Sequence, residues 1–217
     1  MRGAVWGYLA ISGGIDTPCV LGSRSTHLRS GLGGLKGRRL AAGDQLPLGV
    51  SRAGPLLALR HAVPRSPGAI RVVPGPQAGH FDARTWAEFL EGPFRITPDR
   101  DRMAQLLEGP QIRALAGHDI VSDGTVSGSI QIPSSGRPIV LMAERQTTGG
   151  YPKIATVASV DLPRLAQIPS GSLIRFRVIS QDDAEDLAIA RSRHDAQLLA
   201  DLELKPEPSS ISRHSQS

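Results

Sequence analysis

Cysteine is nearly absent from this chain of 217 residues, in which Cys19 is the single example. One cysteine cannot form an internal disulfide, and it cannot supply a cysteine-based zinc site. The six histidines are scattered and show no His-x-x-x-His or other spacing that is typical of a metal site. The sequence therefore predicts no bound metal, and the scarcity of cysteine is typical of a protein from a reducing cytoplasm.

Long apolar runs and aromatic residues are also scarce. No apolar run approaches the roughly 18 residues that a membrane-spanning helix needs, so we predict no membrane association. The apolar part of the N-terminus, from Met1 to Trp6, is too short for a secretory signal peptide. Aromatic residues make up only 4% of the chain and no DNA- or RNA-binding motif is recognisable, which argues against a nucleic-acid partner.

Charge is unevenly distributed along the chain. Residues 1–60 carry eight Lys or Arg against Asp16 and Asp44, a net charge of +6, whereas the remainder carries 17 basic and 18 acidic residues. A basic N-terminal third can attract an anionic substrate or an acidic partner. An ordinary solvated positive surface is an equally good interpretation.

Short β-rich runs separated by glycine and proline are abundant. Hydrophobic residues make up 40% of the chain, with 24 Gly and 17 Pro, which suits a folded protein with many turns. Strands are predicted at residues 5–11, 70–73, 129–132, 138–143, 154–157, 156–160 and 172–179. Turn residues at 134–137 predict a hairpin between the third and fourth of these strands. Many short strands favour a β-barrel or a sandwich.

Few helices are predicted. Asp82 is placed to cap a helix over residues 83–91, which puts Trp86, Phe89 and Leu90 on one face. Asp161 is a candidate cap for a short helical turn at residues 162–166. Residues 181–203 have helical potential, and residues 205–217, with two prolines and five serines, predict a disordered tail.

Residues 146–153 read Gln-Thr-Thr-Gly-Gly-Tyr-Pro-Lys and form the most informative stretch of the chain. Gly149 and Gly150 can adopt positive φ and allow a ligand to approach the backbone closely. Successive N–H groups in such a loop can form an anion-binding concavity, with the two threonine hydroxyls as further donors and Lys153 as a fixed charge. A glycine-rich hairpin loop with solvated threonines is the structural alternative.

Other polar residues are weaker candidates. Asp119 and Asp123 could form a carboxylate pair for acid–base chemistry, but Asp-Gly at residues 123–124 is also typical of a hairpin turn. His118 could act as a base or be an ordinary loop histidine. Arg24 could hold an anion or form a structural salt bridge.

Seven linear motifs, taken together, resemble one protein family. They are residues 8–10, 13–16, 20–26, 128–133, 138–144, 146–157 and 161–167. The resemblance is to the biotin-dependent carboxyltransferase family that includes the C subunit of 5-oxoprolinase, also known as allophanate hydrolase subunit 2. It implies a mainly β fold of cyclophilin-like β-barrel modules with few short helices. A carboxyltransferase-type domain is then expected at residues 1–180, with a helical extension and tail at residues 181–217.

The resemblance also implies a function. Family members suggest a subunit of a cytoplasmic, ATP-dependent 5-oxoprolinase that converts 5-oxoproline to glutamate. The expected partners are a second subunit that is kinase-inhibitor-like and a third that forms a barrel, with ATP used by the complex and the isolated chain inactive. One alternative is a carboxyltransferase acting on urea or a related amide, with carboxybiotin carried by a partner. Another is a non-catalytic regulatory partner of the kinase-inhibitor-like subunit.

In either reaction, the loop would hold the oxygen on which negative charge develops. The predicted catalytic residues are Gln146, Thr147, Thr148 and Lys153, and the predicted substrate- or anion-binding residues are Gly149, Gly150, Tyr151, Gln131 and Arg24. The two glutamines among these residues suit recognition of a lactam or a urea, but each could simply close a turn.

The chain departs from the family pattern in two places. Family members carry an N-terminal region before the segment that matches Val5, so we expect this chain to lack the opening strands of the barrel. After Arg102 and Met103 the family usually has an arginine where this chain has Leu106, which offers no hydrogen-bond donor. The chain also has no Walker loop, and its sequence identifies no ATP site.

Overall fold

The computed structural model describes residues 5–51, 54–55, 57–59, 67–115 and 117–204, which fall into two units. The sheet unit comprises Met1–Gly7 and His61–Asp201, and the loop unit comprises Tyr8–Arg60 and Leu202–Ser217. The predicted disordered tail lies outside the described residues.

Most of the regular structure is β-strand. The strands are β1 (Leu57–Ala58), β2 (Ile70–Pro74), β3 (Phe94–Arg100), β4 (Ala104–Glu108), β5 (Asp123–Gly124), β6 (Ser129–Gln131), β7 (Ile139–Leu141), β8 (Thr148–Gly149), β9 (Lys153–Val157), β10 (Leu173–Ile174), β11 (Phe176–Val178) and β12 (Glu203–Leu204). The helices are α1 (Ala83–Glu91), α2 (Leu162–Gln167) and α3 (Gln181–Ala200), with 3₁₀ turns at Ala78–His80 and Ser159–Asp161.

Eight strands of the sheet unit form one sheet in the order β10-β3-β4-β7-β6-β9-β2-β11. The pairing is antiparallel throughout, except that β11 runs parallel to β2. The two edge strands, β10 and β11, are separated only by Arg175, so the two edges of the sheet come together and nearly close it into a barrel. The prediction of a mainly β barrel is confirmed.

The apolar face of α1 packs on the core of the sheet unit. Asp82 begins this helix by accepting a hydrogen bond from the Thr85 N–H at 2.7 Å. Phe89 is fully buried and its ring stacks on that of Phe176, with the centroids 4.7 Å apart. Trp86 and Leu90 are partly buried against the same core, as the sequence predicts. Burial of one such phenylalanine contributes roughly 2 kcal/mol to the free energy of unfolding.

Predictions that depend on local pattern hold near the centre of the sheet and fail at its edges. The hairpin is confirmed, because β6 and β7 pair on either side of residues 134–137. The strand at 154–157 is confirmed as part of β9, but 156–160 is wrong beyond Val157, where a 3₁₀ turn begins at Ser159. The strand at 172–179 is divided at Arg175, since β10 pairs with β3 whereas β11 pairs with β2.

Two further predictions are wrong for reasons that the structure explains. Residues 5–11 form no strand, and at their start the N–H groups of Val5 and Trp6 donate to the side chain of Gln167 instead of to a neighbouring strand. Asp161 precedes α2 but does not cap it, because arginine side chains occupy its carboxylate. The helix itself is present.

The helix α3 confirms the predicted helical segment up to Ala200. Its first turn carries a capping box, in which the Ser180 hydroxyl accepts from the Asp183 N–H at 3.0 Å and the Asp183 carboxylate accepts from the Ser180 N–H at 3.3 Å. None of its 20 residues is buried. No helix among the described residues is sufficiently long and apolar to span a membrane.

The loop unit contains turns and isolated bridges rather than a sheet core. Its strands β1 and β12 pair with each other, and single bridges join Ile15 to Leu48 and His27 to Leu32. Gly13 has a φ of 85°, and a Cβ there would collide with the backbone of Gly49, so both the backbone angle and the available space favour glycine.

Candidate functional site

The predicted loop at residues 146–153 lies alongside residues 120–125. Its strand β8 pairs antiparallel with β5, so that Gly149 is opposite Asp123. The Thr125 N–H donates to the carbonyl of Thr147 at 2.9 Å, and the Thr125 hydroxyl donates to the carbonyl of Gln146. The Asp-Gly pair at 123–124 is therefore a strand, and the prediction of a hairpin turn there is wrong.

The two glycines of this loop do not have the predicted conformation. Neither Gly149 nor Gly150 has a φ in the left-handed region, and the extended pairing of β8 is not the alternating backbone of an anion-binding nest. Gly149 does permit a close approach, but of another side chain. A Cβ on Gly149 would lie within 3.0 Å of Nε2 of Gln131, a distance that real Cβ atoms do not reach.

Lys153 and Gln131 face each other across β9 and β6. They are register partners in this antiparallel pair, so their side chains lie on the same face of the sheet. The Lys153 side chain is 1% exposed and the Gln131 residue is 2% exposed. Burial of a lysine at this level requires compensation, because a charged group without a partner is costly inside a protein.

The partial compensation for Lys153 comes from Asp123. The Nζ of Lys153 lies 2.9 Å from Oδ2 of Asp123, whose side chain is 47% exposed. This ion pair is the contact that contributes most to lowering the pKa of Asp123, although Nζ makes no hydrogen bond of ordinary geometry. We call these two residues the lysine pair.

Gln77 connects both members of the lysine pair and was not identified from the sequence. Its Nε2 donates to Oδ2 of Asp123 at 3.1 Å, and its Oε1 accepts from the backbone N–H of Lys153 at 3.1 Å. Gly124 N–H donates to Oδ1 of Asp123 at 2.7 Å. The contacts with Lys153, Gln77 and this N–H hold the pKa of Asp123 below its usual value, so this carboxylate is ionised at neutral pH.

Two buried donors at this site have no hydrogen-bond acceptor in the described part of the chain. They are Nζ of Lys153 and Nε2 of Gln131. A buried donor without an acceptor costs about 1–3 kcal/mol, so natural proteins keep few of them, and those that remain require an explanation. An oxygen of a bound molecule that reached either donor would satisfy it. The arrangement can therefore stabilise negative charge on a carbonyl oxygen or a carboxylate.

The other predicted residues of the loop contribute backbone rather than side-chain contacts. The side chains of Gln146, Thr147, Thr148 and Tyr151 are exposed and make no hydrogen bond within the described part of the chain. Their proposed catalytic and binding roles stay predictions.

The remaining candidates are held in structural contacts. Arg24 belongs to the loop unit, where it pairs with Asp16 at 2.9 Å and donates to the carbonyl of Thr17. The Nδ1 of His118 lies 3.1 Å from the carbonyl oxygen of Ile132, a hydrogen bond that needs the proton on Nδ1. Asp119 is exposed, and Asp123 is engaged with Lys153 instead. Leu106 lies in β4, where it pairs with Ile139 of β7 in the sheet.

Known proteins are similar to this chain in sequence and in fold. The family model of the carboxyltransferase domain, subdomain A and B, matches residues 1–178. Over 177 residues, the chain is 41% identical to the C subunit of 5-oxoprolinase from Escherichia coli, covering 82% of this chain and 57% of that protein. It is 36% identical over 187 residues to the same subunit from Haemophilus influenzae, covering 84% and 59% of the two chains.

A solved structure supports the fold alone. The urea amidolyase of Kluyveromyces lactis superposes with a TM-score of 0.75 at 24% identity, over 87% of this chain and 13% of that one. The chain spans less than two thirds of the length of the two 5-oxoprolinase subunits. The predicted family is confirmed.

Proposed function

The chain belongs to the family of the carboxyltransferase domain, subdomain A and B, and on that premise we propose that it acts as one subunit of an ATP-dependent 5-oxoprolinase. The enzyme would hydrolyse the lactam of 5-oxoproline to glutamate while ATP is hydrolysed to ADP and phosphate. The names of the two relatives at 41% and 36% identity support this proposal.

One structural observation carries the proposal. Lys153 and Gln131 place two buried donors without acceptors side by side, next to the half-exposed carboxylate of Asp123. A lactam oxygen that receives hydrogen bonds from both donors gains stabilisation as negative charge develops on it. Donors that are fixed in advance in a site without water are worth more than the same donors in solution.

The reaction needs such stabilisation because resonance stabilises an amide and makes its carbonyl carbon a weak electrophile. Phosphoryl transfer from ATP to the lactam oxygen would make the ring carbon a better electrophile. Water then adds to that carbon, and the C–N bond breaks as the nitrogen takes a proton to become the amine. A second water hydrolyses the resulting acyl phosphate to the side-chain carboxylate of glutamate and inorganic phosphate. Asp123 is a poor general base because its pKa is lowered. Its role is to hold the Lys153 ammonium in place.

Other subunits complete the enzyme in this proposal. The kinase-inhibitor-like subunit, together with the barrel subunit, would supply the ATP site, and the isolated chain would be inactive. The complex would work in the cytoplasm. These partners are consistent with the names of both relatives, each of which denotes one of several subunits.

A second function uses the same residues. The family is named for carboxyl transfer, which supports a carboxyltransferase acting on urea or a related amide with carboxybiotin on a partner. The two donors would then hold the oxygen of the transferred carboxyl group. In a third version the chain binds and regulates the kinase-inhibitor-like subunit without catalysis, and Lys153 would then contribute nothing to turnover.

The test is Lys153→Met in a complex reconstituted with the kinase-inhibitor-like and barrel subunits. Methionine keeps the length of the buried side chain but removes the ammonium. We expect 5-oxoproline-dependent ADP and glutamate release to fall by roughly a hundredfold or more, since one preorganised donor contributes about 3 kcal/mol. Lys36→Met, which removes an exposed lysine of the loop unit, is the matched control and should retain normal turnover.

Normal turnover by Lys153→Met would show that the lysine pair is not the catalytic site. ATP-dependent carboxylation of urea in the presence of a biotinylated partner, without hydrolysis of 5-oxoproline, would establish the second function instead.

A further inference from the structure

A second polar site lies in the sheet unit, where β2, β11 and α2 approach one another. It is a cavity of about 190 Å³. Its lining residues are Pro67, Gly68, Ala69, Arg71, Arg164 and Arg177. Three of these six residues are arginines, so the wall of the cavity is strongly basic.

Two of the arginines are held rigidly. Arg71 donates to both carboxylate oxygens of Asp161, from Nη2 at 2.7 Å and from Nε at 2.9 Å. Arg164 donates to the carbonyls of Gly68 and Ala69, each at 2.6 Å, and contacts Asp161 at 3.3 Å. We call Arg71, Asp161 and Arg164 the arginine cluster. Because these side chains are already fixed, little side-chain entropy is lost when they bind a ligand.

The third arginine has no such partner. Arg177 is the register partner of Arg71 on the adjacent parallel strand, and its exposed side chain makes no hydrogen bond or ion pair within the described residues. The Nε of Arg164 is buried and also has no acceptor there. Among the arginines that line the cavity, Arg177 therefore has a guanidinium whose donors no described residue accepts.

The charges around the cavity do not balance. Three guanidinium groups face it, and Asp161 is the carboxylate that contacts two of them. Asp183, at the start of α3, keeps its negative charge, because hydrogen bonds from Ser180 lower its pKa and Arg177 helps to lower it. The lining itself carries three guanidinium groups and no carboxylate, so the cavity suits an anion.

We propose that this cavity binds the phosphoryl group of a phosphate ester or of inorganic phosphate. A guanidinium presents several N–H groups in one plane, a geometry that matches phosphate oxygens two at a time. Arg177 supplies the free fork, and Arg71 and Arg164 add charge. This site is distinct from the lysine pair and does not depend on the 5-oxoprolinase proposal.

The test is titration of the full chain with inorganic phosphate at constant ionic strength, followed by calorimetry and by ³¹P NMR. We expect saturable binding at one site. Arg177→Gln should weaken it about tenfold or more, because a charge-assisted hydrogen bond is lost. Arg193→Gln is the matched control, since it removes the same charge from an exposed position of α3 that does not line the cavity.

A second variant guards against an effect of charge alone. Arg177→Lys keeps the charge but removes the planar fork, so it should also weaken phosphate binding while chloride at equal ionic strength gives no saturable signal. Methyl phosphate distinguishes the two sources. If it binds as tightly as phosphate, the site takes the phosphoryl group of an ester, whereas exclusion of the methyl ester shows a site for free phosphate.

Absence of saturable phosphate binding by the unmodified chain would overturn the proposal. Equal weakening by Arg177→Gln and Arg193→Gln would overturn it as well, because it would show attraction by the overall charge of the protein rather than a built site.

Discussion

The lysine pair and the arginine cluster each bury one charged group next to groups of opposite charge, but the buried group has opposite sign at the two sites. In the lysine pair the cation is buried and the carboxylate is half exposed, with side-chain exposures of 1% for Lys153 and 47% for Asp123. In the arginine cluster the carboxylate is the buried member, since Asp161 is 2% exposed and the arginines are 20% and 14% exposed.

The two sites also differ in how well the buried charge is satisfied. The carboxylate of Asp161 accepts from the backbone N–H of Arg71 at 2.8 Å, from the guanidinium of Arg71 and from Arg164. The ammonium of Lys153 has a close carboxylate but no aligned acceptor in the described part of the chain. A buried charged group whose hydrogen bonds are all made within the protein contributes to stability, whereas one that lacks hydrogen-bond partners is available to a ligand. The comparison assigns a structural role to Asp161 and supports the role proposed for Lys153.

The largest effect on stability is expected from Asp161→Asn. An amide of nearly the same shape cannot balance two arginines, and one of its groups would be an N–H₂ facing other donors. Removing one partner of a buried charged network costs roughly 3–5 kcal/mol. We expect the free energy of unfolding in urea to fall by about that amount.

The control for this change is Asp195→Asn, which breaks an exposed pair with Arg191 on α3. Exposed pairs of this kind contribute about 0.5 kcal/mol. If both variants lose the same small amount, the arginine cluster does not stabilise the fold and its contrast with the lysine pair is lost.

An intermediate effect is expected from Gly149→Val, which disturbs the lysine pair from the side of β8. The new Cβ would collide with Nε2 of Gln131, so the variant should lose about 1–3 kcal/mol of unfolding free energy through overpacking. Gly150→Val is its matched control, since its Cβ would meet the carbonyl of Ile120 at 3.4 Å, an ordinary contact. We expect a loss below about 1 kcal/mol there. Equal losses at the two positions in urea unfolding would show that the approach of Gln131 is not the cause.

Features that depend on neighbouring residues were predictable from the sequence. The helix α1 is indicated by residues that lie within it or next to it, namely the cap Asp82 and the apolar face with Phe89. The hairpin of β6 and β7 is likewise indicated by its own turn residues, 134–137. The strands β3 and β4 were not predicted, because Pro98 interrupts one and the buried polar Gln105 hides the alternation of the other.

The candidate site was only partly predictable for the same reason. Lys153 and Gln131 stand in recognisable motifs, but Gln77 reaches Lys153 across 76 residues of chain and carries no local signal. Asp123 precedes a glycine, and this local preference for a turn is overridden by pairing with β8. Only the assembled sheet shows which polar residues meet.

The smallest effect expected is the pH dependence of the contact between Asp123 and Lys153. Because the folded state lowers the pKa of Asp123, its contribution is present above the unfolded pKa of about 3.9 and is lost as pH falls through the folded value. A double-mutant cycle with Asp123→Asn and Lys153→Met isolates this term. We expect a stabilising coupling by urea unfolding at pH 7 and at pH 5, and its progressive loss as the pH is lowered below the unfolded pKa of about 3.9. If the coupling is zero at pH 7, or does not change with pH, Lys153 is not what keeps Asp123 ionised, and Gln77 and the Gly124 N–H hold this carboxylate without it.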